Sequence, residues 1–238
     1  MNSSDEKAAL IKVVKVADQL SLFRPARRRG GARAGAGRKP GPRPLVPHRA
    51  RPVHRARHPV HVTLRARGGL PSFREQALFT AMNEAIAAAT KSRTDFRVLH
   101  FSVQTNHVHF VVEAHDARAL SRGMLGLNVR LARGLNRVLR ARGRVWGERY
   151  HAHPLKTPRE VRNALVYVLM NAKKHGVRLA GLDRFSSAQW FDGFADVRPS
   201  SSRRPTAEAK TWLADVGWRM RGLIRLDERP VSAPRGRA

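Results

Sequence analysis

The amino-acid sequence predicts an α+β fold: a ferredoxin-like, RRM-like βαββαβ core with an antiparallel sheet, followed by one further helix. Three observations carry this. Alternating runs rich in β-branched and aromatic residues recur at 59–66, 96–104, 107–114 and 150–156. Helix-period apolar patterns with their own start signals fall between and after them. Two of the runs are separated only by Thr105-Asn106, so they are expected to pair as a hairpin.

The elements follow in order. PVHVTLRA (59–66) is the first strand. LPSFREQALFTAMNEAIAAATK is a helix, with Ser72 and Glu75 as a capping box and Phe73, Ala77, Phe79, Met82 and Ile86 as its apolar surface. FRVLHFSVQ and HVHFVVEA are the hairpin strands. A long helix from about Ala117 to Arg142 follows, with Leu127, Leu131, Leu135 and Val138 along one face. YHAHPLK (150–156) is a short fourth strand. Thr157, Pro158 and Glu160 then open a last helix that is expected to run to Gly176. The aromatic residues beyond Gly181 (Phe185, Trp190, Phe191, Phe194, then Trp212 and Trp218) are expected to pack against this core.

Composition bounds the partner. The chain of 238 residues has 47 Lys plus Arg against 17 Asp plus Glu, a formal charge of +30, yet 42% of it is hydrophobic. It can therefore build a core, and it attracts polyanions, of which nucleic acid is the default. No uncharged apolar run approaches the ~20 residues of a spanning helix. The first residues mix acids and lysines, unlike a signal peptide. With no cysteine, disulfides and thiolate metal sites are excluded. A cytoplasmic, nucleoid-associated location is expected.

The charge also marks domains. Residues 1–23 read as a short amphipathic helix or an unstructured leader, with Ala9, Leu10, Val13, Val16, Ala17 and Leu20 as its stripe. Residues 24–57 hold twelve Arg or Lys, no acid and eleven Gly or Pro, the composition of a flexible cationic arm. Its RKPGPRP piece, with Arg38 and Arg43, is similar to an AT-hook and is expected to touch nucleic acid. The folded domain is placed at 58–195 and a tail with a short helix at 196–238. Arg122, Arg130, Arg133, Arg137 and Arg140 give the long helix a face of one sign. Such a face repels itself unless an anion neutralises it, so these residues and Arg149 are candidate phosphate contacts.

Candidate chemistry rests on a few residues. His107 and His109 are two apart on a strand and so project from one face, as half of a divalent-metal site would. His151 and His153 repeat the pattern, so spacing alone does not choose between the pairs. Asn163, Tyr167 and Asn171 recur every four residues on the last helix, beside its apolar face of Val161, Ala164, Leu165, Val168 and Ala172. A phenol can attack phosphorus when the phosphate is polarised, and an Asn carbonyl is a hard-metal ligand.

The motifs TNHVHFVVEA, RVWGERYHAHPL and LVYVLMNAKKHG, in this order, resemble those of the single-tyrosine HUH transposases, of the REP-associated, IS200-like type. The family usually has PNHVHLL at the first and Tyr, Asn-Pro and Lys-His-Gly at the last, so Thr105 and Ala172 stand where it has proline. The resemblance implies DNA transposition chemistry: a metal-dependent DNA-strand transferase, an HUH endonuclease that cleaves and rejoins single-stranded or hairpin DNA. It implies Tyr167 as nucleophile in a 5′-phosphotyrosine intermediate, and His107, His109 and Asn171 as ligands of Mg²⁺ or Mn²⁺. His151 and His153 fall outside the family's catalytic motif and become phosphate or base contacts. Monomers and homodimers both occur in such relatives. The alternatives are a catalytically inactive, domesticated DNA- or RNA-binding protein of the same fold, and a basic RNA-associated protein.

Overall fold

The computed structural model describes residues 53–174 and 181–229. The expected leader at 1–23 and the arm with Arg38 and Arg43 lie outside the described residues, apart from the last five positions of the arm. Four strands form one antiparallel sheet: β1 (Val60–Arg65), β2 (Phe96–Val103), β3 (His107–Ala114) and β4 (His151–Pro154), in the spatial order β2-β3-β1-β4. Helix α1 (Gln76–Lys91) joins β1 to β2, α2 (Ala117–Val138) joins β3 to β4, and α3 (Pro158–Leu169) follows β4. This is the ferredoxin-like α+β core. Among the described residues no helix is long and apolar enough to cross a membrane.

Strand parity sorts the side chains. Val60, Val62 and Leu64 of β1 point to one face with Val108, Phe110 and Val112 of β3, and there meet Leu78, Met82 and Ile86 of α1 and Met124, Leu127, Leu131 and Leu135 of α2. The intervening residues point to the opposite face, against which α3 packs. In β2 the alternation is interrupted by a register shift between Val98 and His100. One extra residue changes the parity, so Val98 and Phe101 reach the first core while Leu99 belongs to the second.

Several helix boundaries differ from the sequence expectation. Helix α1 starts at Gln76, and Glu75 is an N-cap without a side-chain hydrogen bond. Ser72 Oγ accepts from Arg74 N–H instead (3.2 Å), so the capping box does not form. Phe73 is completely buried, and drawing it into the core holds 72–75 out of helical register. Helix α2 is capped by Asp116, whose carboxylate accepts from Ala119 N–H at 2.7 Å, and ends at Val138. Arg140 beyond it has φ +50°, and Val138 is exposed rather than buried.

Helix α3 opens as expected, on Thr157, Pro158 and Glu160. It stops at Leu169, however, with Met170 at φ −107°, ψ 14° and a separate short turn, α4 (Asn171–Lys174). Met170, Asn171 and Ala172 are all buried. Consecutive residues point ~100° apart on a helix, so this segment is enclosed on more than one side. Gly176 lies outside the described residues.

Part of the surroundings of Met170 comes from 181–229, whose Ala188, Phe191 and Trp218 share a core with it. Val103 N–H donates to Phe185 O (2.8 Å), Phe101 N–H to Ser187 Oγ (3.0 Å), and Asp183 accepts a bidentate pair from Arg74 (2.9 and 2.8 Å). This segment therefore covers the β2 edge of the sheet. Further on, Glu113 of β3 accepts from the backbone N–H groups of Lys210 (3.0 Å) and Thr211 (2.9 Å), the Thr211 hydroxyl (2.8 Å) and Arg97 (3.2 Å). That fixes α5 (Trp212–Asp215) and the 3₁₀ turn Gly217–Arg221, whose Leu213, Ala214 and Trp218 share a core with α3. Of the aromatic residues expected to pack inward, Phe191, Phe194 and Trp218 are buried, and Phe185 and Trp190 are partly so; Trp212 is exposed.

One close approach tests the packing. A Cβ on Gly123 of α2 would lie 2.1 Å from the Phe96 ring, which is itself buried. Gly123→Ala gains about 1 kcal/mol of helix propensity and forces a repacking of about 1–3 kcal/mol. A net loss, read as a Tm lower by a few degrees, is expected; a Tm at or above wild type would overturn the contact.

Candidate active site

The second sheet face is polar where α3 crosses it. Register places His61 opposite Val111 of β3 and His153 of β4, Thr63 opposite His109 and His151, and Arg65 opposite His107. Directly opposed residues share a face. His107, His109, His151, His153, His61 and Thr63 therefore all stand on one side of the sheet. The two His-x-His pairs flank β1 rather than lying apart.

Helix α3 lowers Tyr167 onto this surface. Its ring centroid lies 5.0 Å from that of His109 and 5.6 Å from that of His61, both edge-on. The rings of His107 and His109 are 4.8 Å apart and nearly perpendicular. His107 is half-buried, with Nδ1 2.9 Å from Asn106 Oδ1, and His109 is buried. Tyr167 is half-buried, so solvent reaches this part of the helix.

The contacts at His109 Nδ1 accommodate a proton on that nitrogen. Its Nδ1 lies 3.0 Å from Thr63 Oγ1 and 3.3 Å from His61 Nε2. Loss of water around the His61 ring, with a smaller push from His153, lowers its pKa to about 4. His61 is then neutral at neutral pH and can accept at Nε2. A proton on His109 Nδ1 satisfies both contacts and puts the lone pair on Nε2, the arrangement in which a neighbour orients an imidazole ligand.

His61 and Thr63 are site residues that the motifs do not reveal. The signal in the sequence is the polar parity of β1, His61-Thr63-Arg65 against Val60-Val62-Leu64. That parity alone does not say which histidine pair they adjoin; the β1–β3 register does.

Asn171 departs from expectation. It does not continue the stripe of α3 but starts the next turn, completely buried, and its amide oxygen and nitrogen make no hydrogen bond. A buried amide left without partners costs about 1–3 kcal/mol, so the residue suits a ligand that the chain itself does not provide. Among the described residues no group of three or more His, Cys, Asp or Glu is placed to hold a metal ion. A set of His107, His109 and an amide contains only two residues of those kinds.

The expected phosphate contacts divide. Arg122, Arg130, Arg133 and Arg137 on α2 and Arg140 just after it are exposed, but α2 covers the first sheet face. They stand on the opposite side of the sheet from Tyr167. Arg149, His151 and His153 are exposed at the β4 edge, and His151 Nε2 lies 3.4 Å from Glu148.

One family model matches a little under half of the chain. Residues 58–169 match the family model described as Transposase IS200 like. That span holds His61, Thr63, His107, His109 and Tyr167 and ends at the last residue of α3. Asn171 and the whole segment 181–229 lie beyond it. A solved structure described as "Structure of the REP associates tyrosine transposase bound to a REP hairpin" is similar to the chain. It aligns with a TM-score of 0.46 at 16% identity, over 55% of this chain and 75% of that one. No curated protein matches.

A second buried histidine on this face gives a pH test. His100 of β2 is enclosed beside Phe191, and burial lowers its pKa from the ordinary 6.5 to about 3, with Arg204 adding to the shift. The folded state then holds His100 neutral while the unfolded chain takes up its proton below pH 6.5. The resulting stability is present above pH 6.5 and lost as pH falls towards 3, about 2 kcal/mol between pH 7 and pH 5. Unfolding measured at both pH values should show a smaller acid loss in His100→Gln than in wild type. An equal loss would overturn the assignment.

Proposed function

We propose that the chain is a metal-dependent DNA-strand transferase that cleaves and rejoins single-stranded or hairpin DNA through a 5′-phosphotyrosine on Tyr167. The observation that carries this reading is the placing of Tyr167 edge-on to His109, beside His107, on the polar sheet face. The family match over 58–169 supports it. A binding protein needs no phenol at two oriented imidazoles; a phosphoryl-transfer enzyme does.

In this reading the Tyr167 oxygen loses its proton and attacks a phosphodiester phosphorus. A P–O bond to tyrosine forms, the P–O3′ bond breaks, and the departing 3′ oxygen takes up a proton. Attack by another 3′-OH reverses the step and restores the phenol, so the strands rejoin without an external energy source. His107, His109 and Asn171 would hold a divalent cation, Mg²⁺ or Mn²⁺. Bound there, the cation would polarise the phosphate and offset charge on the leaving oxygen. Thr63 and His61 keep the His109 ring in the tautomer this requires. Packing of α3 from both sides holds Tyr167 over the histidines.

The test is incubation with labelled single-stranded hairpins and Mg²⁺ or Mn²⁺, followed by denaturing electrophoresis. A covalent protein–DNA adduct is expected with wild type and none with Tyr167→Phe. His109→Ala should reduce the adduct rate by at least ~100-fold, the scale of a lost transition-state contact. Thr63→Val should reduce it less, because the ring remains but is held more loosely. Absence of a wild-type adduct, or adduct from Tyr167→Phe, would overturn the enzyme reading.

A further inference from the structure

We propose that Arg159, Asn163 and Arg221 form a phosphate-binding subsite that seats the nucleic-acid strand next to Tyr167, with the segment after residue 181 supplying its second wall. The proposal rests on the function above and names a contact that the function does not require.

The geometry begins on α3. Arg159, Asn163 and Tyr167 are spaced four apart, so they lie along one side of the helix, about 6 Å per step. Arg159 and Asn163 line a cleft of about 220 Å³ together with Arg162 and Arg221. Arg221 ends the 3₁₀ turn Gly217–Arg221, which packs on α3. Gly222 follows with φ +83°, a conformation that favours glycine and turns the chain back.

The charges in the cleft have unlike roles. Arg162 donates to Glu228 at 2.9 and 2.7 Å, to Gly222 O at 2.9 Å and to Leu223 O at 3.0 Å. Its charge is compensated, and it clamps the turn that presents Arg221. Arg159 and Arg221 are exposed, and among the described residues neither has a carboxylate partner. Two uncompensated guanidinium groups with an amide between them suit a phosphodiester. The cleft starts one helical turn from the candidate nucleophile, so a strand seated there leads to Tyr167. Arg221 lies outside the 58–169 family match, so the added segment gives this chain a grip that the matched span lacks.

The experiment measures binding, so it does not depend on catalysis. Tyr167→Phe protein is titrated with hairpin DNA carrying a single-stranded flank, by fluorescence anisotropy over a salt series. Arg159→Ala and Arg221→Ala are each expected to weaken binding about 3- to 10-fold and to reduce the salt slope by about 1. Lys91→Ala, an equal charge change at the end of α1 on the other sheet face, is expected to have less than half that effect. A neutral methylphosphonate is then moved one position at a time along the flank. One position should cost the parent protein several-fold and cost the Arg159→Ala, Arg221→Ala double variant little. Arginine variants that bind like the parent, or a penalty the same in both proteins at every position, would overturn the subsite. If wild type forms no adduct while the position-specific penalty persists, the subsite stands and the enzyme reading fails.

Discussion

The structure depends on the two-residue period of its strands. In β1, Val60, Val62 and Leu64 are buried against α1 and α2, and this alone commits His61, Thr63 and Arg65 to the other side. The same holds in β3, where Val108, Phe110 and Val112 anchor one face and free His107 and His109 for the second. A slip of one residue would put imidazoles into the first core and valines under Tyr167. Burial of one face thus fixes the orientation of every candidate catalytic side chain on the sheet. The register shift in β2 serves the same end: it keeps Phe101 and Val103 in the first core while Leu99 turns to the second.

What was legible in the sequence follows from the range of the forces involved. His107-x-His109 and the four-residue spacing on α3 are local periodicities, so the shared face of the histidines and the place of Tyr167 on its helix could be read directly. His61 was not legible as a partner of His109, because strand pairing between residues 48 apart is not encoded in either strand alone. The expected capping box at Ser72 and Glu75 fails through a tertiary demand, the burial of Phe73. The expected continuous helix through Asn171 fails in the same way. Its residues would suit a helix, yet Met170, Asn171 and Ala172 are all buried, and Met170 shares a core with Phe191 and Trp218 of the later segment.

The charge of +30 also acquires a geometry. The arginines of α2 and those around Tyr167 are separated by the thickness of the sheet. The connection 139–150 runs from the outer helix layer to the β4 edge and carries Arg140, Arg142, Arg144 and Arg149. A polyanion touching both sides can pass that edge, where His151 and His153 stand exposed. A folded or flexible nucleic acid meets this condition more readily than a straight duplex, whose bending stiffness resists turning within one protein diameter. Net charge on its own carries no such preference.

Helix α3 is supported by the segment that follows it as well as by the sheet. A helix lying on a sheet buries one side and is held by that side only. Here Val161, Leu165 and Val168 share their core with Leu99 and Val111 of the sheet, and Leu213, Ala214 and Trp218 of the later segment join the same cluster. Tyr167 emerges between these contacts and is half-buried. The proposed role of Tyr167 needs a closely held side chain, and support from two directions restricts both translation and rolling of its helix. The carboxylate of Glu113, buried beneath Lys210 and Thr211, anchors the second support to the sheet itself. The position of the phenol is therefore set by β3 twice: through His109 at the middle of the strand, and through Glu113 near its end.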